Sequence, residues 1–191
     1  MMDDVLADVE GGKRNVLSSM SRVQLQALMM DVGMGVLNDM THMSTFEMSK
    51  WLISNYPFKL SGGFHSKLPL VDGAIEALED LKDHYDIWIL TTAPWRNPIA
   101  WTEKIEWLSE HFPCGEKGYD PTDKVIMCSQ STMVVANRFR GDVLVTTTEA
   151  TFNGEVIQFD NKKMNWSGLK AILINRLVIT EKRETTENND D

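Results

Sequence analysis

Side chains able to do chemistry gather at four places, each beside a short apolar run. They are Met1-Met2-Asp3-Asp4-Val5-Leu6-Ala7-Asp8, the turn Thr91-Thr92-Ala93-Pro94, the stretch Ser129-Gln130-Ser131-Thr132 after Cys128, and Thr146-Thr147-Thr148. In parallel α/β sheets ligands bind beyond the carboxyl ends of the strands, so these are the positions that carry information about function. Carboxylates there serve proton transfer or nucleophilic attack, and a helix N-terminus with a few backbone amides holds a phosphate. Metal-ligand spacing is absent from His42, His65, His84 and His111, and Cys114 and Cys128 are too few for a zinc cluster or a disulfide scaffold.

The elements that must position these residues follow from apolar periodicity. Gly11-Gly12 breaks the chain after its first segment, and helical spacing from Asn15 to Tyr56, with Leu25, Leu28, Met29, Val32, Val36, Leu37 and Met40 in one series, predicts a bundle of short helices. Its methionines read as core filler or as the lining of a ligand site. Asp72 to Leu81 predicts an amphipathic helix with Ile75, Leu78 and Leu81 inward, and Trp101 to Phe112 another with Ile105, Trp107 and Leu108. Strands are expected at Ile87–Thr91, Val125–Cys128, Val143–Val145 and Val156–Phe159, with a closing helix from Trp166 to Leu177. Such alternation argues for a largely parallel sheet. The tail from Thr180 lacks apolar residues and is expected to be disordered.

Composition narrows the partners. The 191 residues are 42% hydrophobic and carry a net charge of -9, a profile that suits a globular core and repels nucleic-acid backbones and anionic membranes. No polymeric nucleic acid and no membrane is therefore expected as a partner, and the location expected is cytoplasmic. A small phosphorylated ligand remains compatible. Trp88, Trp95, Trp101, Trp107 and Trp166 stand among acidic rather than basic residues and read as core or helix packing.

Taken together, Gly63-Phe64-His65-Ser66-Lys67-Leu68-Pro69, Asp72-Gly73-Ala74, Ile89-Leu90-Thr91-Thr92-Ala93-Pro94-Trp95, Gly141-Asp142-Val143-Leu144, Gly154 to Phe159 and Asn165-Trp166 resemble the 5'(3')-deoxyribonucleotidases of the haloacid-dehalogenase superfamily. The resemblance implies a three-layer Rossmann-like α/β core at 1–14 and 68–178. It also implies a small helical cap at 15–67, inserted after the first motif, and leaves 179–191 as an acidic tail. It further implies dephosphorylation of (deoxy)nucleoside monophosphates through an aspartyl-phosphate with Mg2+. The partner expected is a small nucleotide or phosphate ligand, with a homodimer as the assembly the resemblance allows.

Carried over residue by residue, the resemblance puts Asp3 at the general-acid position, its backbone carbonyl toward the metal, and Thr91 and Thr92 at the phosphate. Met1 stands at the nucleophile position, Thr146 and Thr147 stand at the acidic metal-binding pair, and the lysine expected shortly after Cys128 has no match, with Arg138 or Arg140 as a minor alternative for it. Neutral hydroxyls anchor Mg2+ poorly. Phe64, His65 and Trp95 fall where relatives approach the nucleotide base, with packing under the cap as the alternative for Phe64. The central first strand of such a sheet would precede Met1, so the sheet is expected to be completed by further chain or by something else, or to be less stable. A catalytically inactive homologue that binds a nucleotide or a protein partner is the competing expectation.

Overall fold

The computed structural model describes residues 2–33, 42–112, 124–129 and 142–187, with the backbone alone from 180 onward. Met1, Val36, Leu37, Met40, Cys114, Gln130 to Thr132, Arg138 and Arg140 lie outside the described residues. The chain divides into two compact units: one of Met1–Ala7, Leu70–Thr92 and Leu108–Asp191, the other of Asp8–Pro69 and Ala93–Trp107.

The second unit holds three helices, α1 (Val9–Ser18), α2 (Arg22–Asp31) and α3 (Thr45–Asn55), followed by two 3-10 turns at Phe58–Leu60 and His65–Lys67. α1 begins six residues before the expected start at Asn15, running straight through the glycine pair. Asp8 caps it by accepting from the Gly11 amide at 2.8 Å. Gly12 is tolerated because a Cβ there would lie 2.5 Å from Leu68 Cδ2, so close packing offsets the usual cost of glycine in a helix. Ser21 with Gln24, and Ser44 with Glu47, form capping boxes that start α2 and α3. Leu25, Met29, Met48 and Leu52 are buried together, so these methionines fill core space.

In the first unit, α4 (Ala74–Leu81) follows Gly73, whose φ of 76° suits a residue without a side chain. Its buried stripe is Ala74, Ala77, Leu78 and Leu81, while Ile75 stays half-buried. β1 (Ile89–Thr92) pairs in parallel with β2 (Val125–Cys128), and β3 (Val143–Thr146) with β4 (Glu155–Gln158). The result is a mixed α/β fold with small parallel sheets, compatible with the expected class. β1 starts two residues later than expected, and Trp88 is 53% exposed with its indole donating to Asp86, which corrects the reading of Trp88 as core. Helix α5 (Ile99–His111) runs through the chain boundary between the units.

The closing helix, α6 (Trp166–Glu187), continues beyond the expected end at Leu177, and with it the expected disordered tail becomes helical as far as Glu187. Glu, Lys and Arg are strong helix formers, so a segment without apolar residues extends a helix already anchored at its start. That anchor is substantial. Trp166 donates its indole N–H to Val5 O at 2.8 Å and packs on Phe159, Leu169 is fully buried, and the Tyr85 hydroxyl reaches Leu173 O at 2.9 Å.

Candidate functional site

Backbone hydrogen bonds build the strand-end region of the first unit. The Met2 amide donates to Leu90 O at 3.0 Å, which brings the amino-terminal segment alongside β1. One residue beyond that bond on either side stand Asp3 and Thr91. From there the chain makes a tight loop: the amides of Leu6 and Ala7 both donate to Met2 O, at 2.8 and 3.1 Å, and the Asp4 amide donates to Ala7 O at 2.7 Å. Asp4 sits at a φ of 58°, a left-handed conformation that aspartate tolerates better than most residues. Val5, Leu6 and Ala7 are buried beneath it, so the apolar half of the motif anchors the loop and leaves Asp3 and Asp4 partly accessible.

The threonines take different environments. Thr91 is 1% exposed, whereas Thr92 is half-buried at the carboxyl end of β1. In the neighbouring strand Cys128 pairs with Thr92, and its thiol approaches Thr91 O at 3.7 Å. At the end of β3, Thr146 is fully buried and its hydroxyl accepts from the Thr148 amide at 3.2 Å, while its carbonyl accepts from the Phe159 amide at 2.7 Å. This hydroxyl therefore serves its own loop. Thr147 is half-buried beside it.

Phe64, His65 and Trp95 belong to the second unit. Phe64 is 4% exposed and packs against Phe58 at a ring-centroid distance of 5.6 Å, and His65 is fully buried with Nε2 3.4 Å from Lys59 O. Trp95 is 79% exposed. The loop carrying Phe64 is held by Glu103 of α5, whose carboxylate accepts from the Gly63 amide and from the His65 amide at 3.0 Å. Glu103 and Lys104 are buried while Ile105 is half exposed, the reverse of what their polarity predicts. Periodicity missed this pair because the acceptor that Glu103 provides is required by backbone amides distant in sequence.

The described residues contain no group of three His, Cys, Asp or Glu side chains able to hold a metal ion. Asp3 with Thr146 and Thr147 is too poor in carboxylates for the hard cation that the resemblance implies. The donor set present here does not fit Mg2+.

A chain whose short strands pair in parallel and alternate with helices is by class a mixed α/β protein. The family model described as "5' nucleotidase, deoxy (Pyrimidine), cytosolic type C protein" matches residues 1–168, and the chain belongs to that family. The 5'(3')-deoxyribonucleotidase of Bacillus subtilis is 25% identical over 117 residues, which cover 56% of this chain and 63% of that protein. The protein of the same name from Bacillus phage SPbeta matches to the same extent. A protein of Vibrio phage KVP40, provisionally given that name, is 40% identical over 53 residues, 28% of this chain and 31% of the phage protein. The chain thus spans less than two thirds of the length of these relatives.

Proposed function

We propose that this chain binds (deoxy)nucleoside monophosphates at the strand ends of its first unit, with Thr91 and Thr92 holding the phosphate, and hydrolyses them far more slowly than a relative with a full set of carboxylates. The observation that carries this reading is the Met2 to Leu90 hydrogen bond, which sets Asp3 beside the Thr91-Thr92 strand end. Phosphate holding and phosphate transfer are separable. A hydroxyl and backbone amides suffice to accept phosphate oxygens, whereas a covalent path needs a carboxylate nucleophile, and Met1 occupies that sequence position. The Thr146 hydroxyl, engaged with its own loop, supplies no charge to substitute for an acid.

Affinity for a deoxynucleoside monophosphate is expected to be on the order of 0.1 to 1 mM and to fall with salt, because few cations offset the phosphate charge. Amide chemical shifts followed on adding the ligand to the folded wild type and to Thr91→Val test it. Loss of binding in the variant supports the reading. Equal binding, or shifts remote from residues 91 and 92, contradicts it and favours a protein-binding homologue. A second reading, a working phosphatase with Asp3 as general acid, is favoured by the family match over residues 1–168. Mg2+-dependent turnover of about one per second or more, abolished in Asp3→Asn, would establish that reading instead.

A further inference from the structure

The second unit carries a groove between α1 and α3 that shares no residue with the strand-end region. Its volume of about 610 Å³ lies in the range of small-ligand sites, which recur between the helices of bundles. α1 lines it from Glu10 to Ser18 and α3 from Thr45 to Ser54, so each wall runs about 12 to 14 Å along its helix. Leu17 and Leu25, both buried, and Ile53, half-buried, give the lining an aliphatic part. Phe46 extends it with an aromatic ring that is 75% exposed. A flat apolar body can therefore lie against aliphatic carbon and the Phe46 ring together.

Charge decides what that body carries. Lys13, Lys82, Lys124, Lys163, Lys170 and Arg176 each meet a carboxylate. Arg14 of α1 and Lys50 of α3 both line the groove, and among the described residues neither makes an ion pair. Glu10 is the one carboxylate in the lining, and Lys13 occupies it at 2.7 Å. The groove is thus locally positive on a chain whose net charge is -9, with one cation on each wall. Ser49 and Ser54 add hydroxyls on the α3 side. We propose that this groove binds a small amphiphilic anion, its carboxylate or phosphate between Arg14 and Lys50 and its ring or short alkyl body against Leu17, Ile53 and Phe46. Arg14 offers a planar fork and Lys50 a point charge, a pair that accepts either acid group. Walls of two to three helical turns suit a ligand of about a dozen heavy atoms better than a partner's long helix.

The test titrates the full chain with 4-phenylbutyrate, with phenyl phosphate and with the neutral 4-phenylbutanol, following amide chemical shifts. Both anions are expected to bind with Kd on the order of 1 mM and to shift residues 14–18 and 45–54, and the alcohol to bind at least about fivefold more weakly. Raising the salt to about 0.3 M should weaken the anions and leave the alcohol unchanged. The double variant Arg14→Gln with Lys50→Gln should bring the anions down to the alcohol, and Phe46→Ala should weaken all three. These side chains are exposed, so the unfolding midpoint of each variant stays near that of the wild type and confirms that it folds. Equal binding of the alcohol and the anions, unaltered binding in the double variant, or shifts that lie outside the two walls overturns the proposal. So does an acidic amphipathic peptide that shifts the same amides and binds tenfold more tightly than either anion, since a protein segment would then be the occupant.

Discussion

At the residue scale, single polar groups from distant parts of the chain hold the two regions of interest in shape. Glu103 is a positioning residue: its carboxylate serves the Gly63 and His65 amides, so truncation leaves two donors short of an acceptor. Glu103→Ala is expected to cost about 2 to 4 kcal/mol, and Glu103→Gln somewhat less, since one carbonyl oxygen survives. Chemical denaturation measures the loss, and amide shift changes confined to residues 63–65 mark its origin. Trp166→Phe removes the donor to Val5 O while keeping most of the apolar ring. About 1 to 3 kcal/mol should be lost, with faster hydrogen exchange in the 3–7 loop that carries Asp3. Undisturbed exchange there would show that the indole bond does not hold the loop.

At the scale of elements, the helices begin where caps place them, and their faces are set by what they pass. α3 starts at a capping box in which Ser44 accepts from the Glu47 amide at 3.2 Å and Glu47 accepts from the Ser44 amide at 2.7 Å. Ser44→Ala is expected to cost about 1 kcal/mol, seen as a lower unfolding midpoint and fraying of residues 45–47. In α1 the same kind of analysis gives an opposite sign from propensity. Alanine is the better helix former, yet Gly12→Ala should destabilise by about 1 to 3 kcal/mol because its methyl group meets Leu68. A gain in stability would refute the close approach.

For the molecule as a whole, hydrogen bonds to exposed carboxylates contribute to the response to pH. The Asp86 carboxyl is held below its ordinary value first by a hydrogen bond from Lys124 and then by one from the Trp88 indole. Asp160 is lowered chiefly by the Lys162 amide, and Glu47 by the Ser44 amide and hydroxyl. A depressed folded value means stability that is present above the unfolded value and lost as pH falls through the folded one. The midpoint of unfolding is therefore expected to be flat near neutrality and to drop as pH falls below about 4, modestly for these exposed groups. Lys124→Ala should shrink the part due to Asp86, and a midpoint that rises on acidification would contradict the assignment. No helix among the described residues is long and apolar enough to cross a membrane.

Local patterns determined much of this protein. Strand positions at Val125–Cys128 and Val143–Val145, the helical series around Leu25 and Met29, and family membership on motifs such as Thr91-Thr92-Ala93-Pro94 were legible because each depends on residues close together in the chain. What the sequence left open was whatever depends on a neighbour far along it. The glycine pair reads as a break until Leu68 is packed against Gly12, and Glu103 reads as surface until the Gly63 and His65 amides require an acceptor. Trp88 has the composition of core but not its burial, because β1 begins only at Ile89 and Asp86 offers its indole a partner. The approach of Met2 to Leu90, on which the candidate site depends, is a backbone contact that no side-chain pattern encodes. Only the tertiary structure decided it, because hydrogen bonding between main-chain groups is blind to residue type while packing fixes which strands come together.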